Sequence, residues 1–202
     1  INAPINCTFL HREEEIDAIC KSIRNNSVTV LTGSSGIGKT RLAIEACRAW
    51  DDKEYTVYCV RSNGIFLYGD IKYYIDNPGK YMLFFDDANM VVSMDNVLQT
   101  LLTFPTEYEI KILITVRDYA RERVITTVSK YTIPQIIEIG RLTDEEIKDI
   151  LKTDLGILNP YYLKKISEIA SGNARLAFLA GIKSVDKGYQ AIRNAEDILS
   201  LI

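Results

Sequence analysis

The chain has 202 residues, of which 47% are hydrophobic and 25% charged. This is the balance of a soluble globular protein with enough apolar material to fill a core. Its formal net charge of −3 gives no electrostatic footing for strong nucleic-acid binding, and no apolar run reaches membrane-spanning length. No signal peptide opens the sequence.

The four cysteines, Cys7, Cys20, Cys47 and Cys59, lack metal-ligand spacing and read as small core residues of a cytoplasmic, reducing environment. His11 is the single histidine, which argues against serine or cysteine nucleophiles served by a histidine base. The chain starts on Ile1 and ends within an apolar helical pattern (Ile198, Leu199, Ile202). The expectation is a piece of a longer protein.

Ile16, Ile19, Cys20 and Ile23 recur at helical spacing and predict an amphipathic helix over 12–24. Val28–Thr32 reads as a short buried strand. Leu42, Ala43, Ala46 and Trp50 then place one face of a second helix on a core. A β-rich run covers 55–60. A helix is expected over 70–77 with Asp70 as its cap, followed by a turn at Asn77-Pro78-Gly79. "YMLFF" (81–85) is an apolar strand ending on Asp86-Asp87. A helix over 94–104, a strand over 111–116 and a helix over 118–130 follow. The run 131–139 reads as a strand carrying Pro134, which cannot donate to a ladder and so belongs at a sheet edge.

Five strands alternating with helices imply a parallel sheet wrapped by helices, with the site on loops at the carboxyl ends of the strands. From Arg141 the pattern turns all-helical. A capping box, Thr143 to Glu146, opens one helix and Gly156 stops it. Asn159-Pro160 opens a second helix, Ser171-Gly172-Asn173 breaks it, a third spans 174–184, and a fourth is expected over 189–202. The predicted domains are a nucleotide-binding core (1–140) and a helical lid bundle (141–202).

Gly33-x4-Gly38-Lys39-Thr40 is the P-loop pattern, set between a strand and a helix as its chemistry requires. Glycine freedom lets successive N–H groups of Ser34, Ser35, Gly36, Ile37, Gly38, Lys39, Thr40 and Arg41 turn toward one phosphate chain. The positive end of the following helix faces the same place. Lys39 adds a full charge for the β- and γ-phosphates, and the Thr40 hydroxyl is a ligand for Mg²⁺.

Asp86, delivered by an apolar strand, is the second metal residue, and Asp87 is the candidate general base for water. Asp87 is one methylene shorter than a glutamate, and a base that reaches water poorly turns over slowly. Arg117, at the end of the next strand, is placed to sense a γ-phosphate. Arg121 and Arg123 follow on a helix, where a solvated face is the simpler reading.

In this order the motifs resemble those of the STAND branch of P-loop NTPases, the NACHT- and NB-ARC-like signalling relatives of AAA+ proteins. "TFLHREEEI" (8–16) looks like their N-terminal Gly-Arg-Glu signature, with His11 in place of the glycine. "LTGSSGIGKTRLA" looks like Walker A, "MLFFDD" Walker B and "ILITVRD" sensor 1. "ISEIASGNARLAFLAG" (166–181) looks like the lid segment.

The resemblance implies a five-stranded parallel sheet of order 5-1-4-3-2, Arg12 near the adenine and ribose, and Arg175 where AAA+ relatives carry a sensor 2 arginine. It also implies Mg²⁺ with ATP or ADP between core and lid, further domains of the same chain, and self-assembly on activation. The function expected is a slowly hydrolysing ATP switch in defence or regulation. The alternatives are an AAA+ motor or DNA-loading ATPase, a small-molecule kinase, and a nucleotide-binding scaffold without hydrolysis.

Overall fold

The computed structural model of the protein describes residues 8–50, 54–60 and 67–187. They divide into two compact units. The first holds Glu14–Gly33 and the described part of Lys39–Glu138. The second holds residues 8–13, Ser34–Gly38 and 139–187. The helix expected over 189–202 lies outside the described residues.

In the first unit, β1 (Val28–Thr32), β2 (Tyr55–Val60), β3 (Lys80–Phe85), β4 (Glu109–Thr115) and β5 (Gln135–Glu138) form one sheet of order β2-β3-β4-β1-β5. This is the expected order read from the other edge. All pairs are parallel, with Val30 opposite Ile114 on one side and Ile136 on the other.

Every residue of β1 is buried, as befits a strand covered on both faces. Val28, Val30, Leu83, Phe85, Ile112 and Ile114 share one face by the two-residue period. They pack with α3 (Tyr68–Tyr74), α4 (Met94–Leu102) and α5 (Arg121–Ser129). α1 (Glu13–Asn25) buries Ile19 and Ile23, and α2 (Lys39–Ala49) buries Leu42, Ala43 and Ala46. The buried hydroxyls of Ser22 on α1 and Thr29 on β1 satisfy each other at 2.7 Å.

Three expectations are corrected. The third helix starts at Tyr68, so Asp70 lies in its first turn and caps nothing; the preceding Leu67 makes no side-chain cap either. Its carboxyl end is instead secured from the sheet: the Tyr58 and Tyr81 hydroxyls donate to the carbonyls of Tyr74 and Asn77, at 3.2 and 2.8 Å. The helix expected over 118–130 opens as a single 3-10 turn at Asp118–Ala120 before α5. The last strand covers only Gln135–Glu138, because Pro134 lacks the N–H that would extend the ladder. It does lie at a sheet edge.

The second unit contains α6 (Asp144–Leu155), α7 (Pro160–Ala170) and α8 (Ala174–Lys187). Its core joins Ile147, Leu151, Leu163, Ile166, Ala177 and Ala180. The Thr143–Glu146 capping box is formed in both directions, and Gly156 closes α6 in a left-handed conformation at φ 64°. Asn159 caps α7 through its side chain. Segment 8–13 is tied to this unit: Thr8 N–H donates to Asp154 Oδ1 and Arg12 Nη2 to the Gly140 carbonyl, each at 2.9 Å.

Candidate functional site

β1 runs straight into the glycine loop. Gly33, Gly36 and Gly38 take φ values of 143°, 82° and 102°, a region L-side chains rarely enter. α2 begins at Lys39. The Lys39 side chain is only 6% exposed, and its ammonium donates to the Gly33 carbonyl at 2.6 Å. Burial holds its pKa below the usual lysine value, against the opposing pull of Asp118, Asp87 and Asp86. A lysine ammonium held at a left-handed glycine turn is the cation that a P-loop directs at a phosphate chain. Arg41 sits within the first turn of the helix, paired with Glu45 at 2.9 Å.

Parallel pairing carries the ends of β3 and β4 to neighbouring positions. Asp86 Oδ1 accepts two hydroxyls, from Thr40 at 2.7 Å and Thr115 at 2.8 Å. The Thr115 oxygen in turn accepts the Asp87 N–H at 2.9 Å. Thr115 is fully buried, so its hydroxyl fixes both acids at once. Thr40 and Asp86, the two residues assigned to metal from sequence, are thus in direct contact. Their hydroxyl and carboxylate oxygens are the hard donors that suit Mg²⁺, an ion that keeps most of its shell for water and phosphate.

Asp87 stands in the left-handed region, at φ 48° and ψ 58°. Arg117 grips its carboxylate with both arms of the fork, Nε to Oδ1 at 3.2 Å and Nη2 to Oδ2 at 2.9 Å. That bonding raises the Arg117 pKa still further. The two later arginines are engaged elsewhere: Arg121 lies 3.7 Å from Glu138, and Arg123 donates to the Asn89 carbonyl.

In the second unit the outer carbonyls of the glycine loop are occupied. Asn173 Nδ2 donates to Ser35 O and the Arg175 N–H to Gly36 O, each at 2.9 Å. Ser34 and Gly36 are half-buried, Ser35 is exposed and Ile37 is buried. Arg12 is buried, and His11 beside it is left-handed at φ 63°, its Nε2 3.6 Å from Asp149 Oδ2. Burial alone would raise the Glu146 pKa, but the Thr143 amide and hydroxyl, with His11 and Arg12 beyond, hold it below the usual glutamate value. The Arg175 side chain is exposed.

Sequence reading treated Thr115 only as part of a strand end and Asn173 only as part of a helix break. The signal for Asn173 was its place three residues before Leu176, whose N–H its Oδ1 accepts at 3.0 Å, the spacing of a helix cap.

A family model described as Novel STAND NTPase 3 matches residues 10–156. No curated protein matches the chain. Among solved structures, the Aeropyrum pernix Orc1 protein in complex with DNA aligns with a TM-score of 0.68 at 16% identity, over 99% of this chain and 66% of that one. The Thermotoga maritima RuvB Holliday junction branch migration motor aligns with a TM-score of 0.64 at 18% identity, over 93% and 67%. Domain III of the Thermotoga maritima replication initiation protein DnaA gives a TM-score of 0.64 at 16% identity, over 99% and 98%. The chain therefore spans about two thirds of the first two structures and nearly all of the third. At these identities the likeness is one of fold.

Proposed function

Since the chain belongs to the Novel STAND NTPase 3 family, we propose that it is the Mg-ATP-binding, slowly hydrolysing switch module of a larger signalling protein. One observation carries this reading: a buried Lys39 at the glycine loop, with Thr40, Asp86 and Thr115 joined by hydrogen bonds at the adjoining strand ends.

In this reading the N–H groups of residues 34–41 and the Lys39 ammonium hold the phosphate chain. Thr40 and Asp86 hold Mg²⁺, which when bound neutralises phosphate charge. Asp87 takes a proton from the attacking water. Arg117 exchanges the Asp87 carboxylate for the γ-phosphate, so the two groups are prised apart only when a triphosphate is present. ATP and ADP differ in that exchange, and a ligand shifts a conformational equilibrium only through such a difference. Arg12 lies toward the base and sugar.

The test is calorimetric titration with Mg-ATP, in which Lys39→Ala should abolish binding. Unchanged affinity in that variant would remove the site. A second reading, an AAA+-type motor acting on DNA, draws on the run Gly172-Asn173-Ala174-Arg175. A salt-dependent DNA gel shift would favour it, and the net charge of −3 weighs against it.

A further inference from the structure

Asn173 uses both ends of its carboxamide. Its Oδ1 accepts the Leu176 N–H at 3.0 Å and so caps α8. Its Nδ2 donates to the Ser35 carbonyl at 2.9 Å. Two residues on, the Arg175 N–H donates to the Gly36 carbonyl at 2.9 Å.

A trans peptide is planar, with its C=O and the following N–H pointing in opposite directions. A Ser35 carbonyl held toward α8 therefore aims the Gly36 N–H away from α8. A held Gly36 carbonyl does the same for the Ile37 N–H. These are two of the amides that a phosphate-binding loop must turn to one side. The fit is close: a Cβ on Gly36, itself at φ 82°, would lie 2.5 Å from Asn173 Oδ1 and 2.8 Å from its Nδ2. A side chain at position 36 would have to displace the carboxamide and would be strained by its own backbone.

We propose that Asn173 is a positioning residue for the phosphate loop, setting the direction of the Gly36 and Ile37 amides from the first turn of α8. The proposal rests on the nucleotide-binding reading above and adds to it. The loop is not preformed by its own glycines alone. It is held in its binding shape by a helix of the all-helical unit, and occupancy of the loop is felt at the start of α8.

The decisive variant is Asn173→Ser in the full chain. Serine is a good helix cap and carries no charge, but its hydroxyl is too short to reach Ser35 O while capping Leu176. The measurements are Mg-ATP and Mg-ADP affinity by calorimetry, and amide hydrogen exchange without nucleotide. With the bond to the Ser35 carbonyl lost, affinity for both nucleotides should fall about fivefold to tenfold. Exchange should quicken at Gly36 and Ile37 while α6 and α7 keep their protection. Gly36→Ala attacks the same contact from the other side, and should give the same exchange signature at Ile37 and at the first turn of α8.

Wild-type affinity in Asn173→Ser, or protection lost evenly through α6, α7 and α8, would overturn the proposal. So would normal binding by Gly36→Ala. Lys39→Ala separates the two levels. If it still binds Mg-ATP, the nucleotide-site reading fails and this proposal falls with it. If it does not bind while Asn173→Ser binds normally, only this proposal fails.

Discussion

Arg117 and Asp87 lie 30 residues apart in the chain and form a two-pronged ion pair, the guanidinium donating at 3.2 and 2.9 Å to the two carboxylate oxygens. The residue proposed to activate water is therefore held by the residue proposed to sense the γ-phosphate. Both are half-exposed, so the pair adds little to stability. What it controls is where a carboxylate on left-handed backbone points.

Asp87→Asn keeps the size of the side chain and removes its basicity. Single-turnover hydrolysis of Mg-ATP should fall about 10²-fold or more, with affinity within about twofold of wild type. An unchanged rate in that assay would place the base elsewhere, or show that the chain binds without hydrolysing.

Thr115→Val is nearly isosteric but removes the hydroxyl that donates to Asp86 and accepts from Asp87. Leaving those half-buried groups short of a partner should cost about 1 kcal/mol, read as a lowered melting temperature. The Mg²⁺ concentration needed for half-maximal nucleotide binding should also rise. A melting curve that overlays wild type would show that water replaces the hydroxyl fully.

Lys39 provides a pH test. Its folded pKa lies below the ordinary lysine value, chiefly from burial. The unfolded chain therefore holds the proton more tightly in the interval between the two values. The destabilising cost of burying the charge is present below the folded pKa and relieved as pH rises through it. Nucleotide binding has the opposite sense, because the phosphates need the charge. Mg-ATP affinity should decline on the alkaline side before an exposed lysine would titrate. Lys39→Arg stays charged throughout and should lack that alkaline decline, whatever its affinity at neutral pH; a parallel decline in both proteins would assign it to another group.

Gly172 links the start of α6 to the start of α8. It stands at φ 76°, and a Cβ there would sit 2.5 Å from the Leu142 carbonyl and 2.7 Å from Arg141 Cβ. Backbone cannot retreat as a side-chain tip can. Gly172→Ala should destabilise the protein by about 1–3 kcal/mol, measurable by thermal or denaturant unfolding. A neutral result would mean that the turn relaxes.

Glu146 and Thr143 form the reciprocal cap of α6. The folded Glu146 pKa is below the ordinary glutamate value. Its stabilisation is complete above the unfolded value and fades as pH falls through the folded one. Thr143→Ala should cost about 0.5–2 kcal/mol at neutral pH. The cost should shrink as the protein is acidified below pH 4.5, which a set of unfolding curves at stepped pH would reveal.

Several features of this protein were present in the sequence by itself. The glycine loop between strand and helix, the capping box at Thr143, the stop at Gly156 and the edge position of the strand after Pro134 all follow from backbone chemistry acting over a few residues. Local rules were enough for them because a φ value, a missing N–H or a cap is settled within one turn. The same rules misplaced the start of α3 and gave no sign that carbonyls at its carboxyl end are met by tyrosines of β2 and β3.

Only the tertiary structure decided which groups meet. Thr115 reaches Asp86 across 29 residues, Arg117 reaches Asp87 across 30, and Asn173 reaches Ser35 across 138. Periodicity assigns a residue to a face of its own element. It says nothing of the strand register that brings β3 and β4 to the same height, or of the chain path that returns α8 to the loop. Those contacts depend on how elements pair and pack within each unit, and they turn separate motifs into hydrogen-bonded sets.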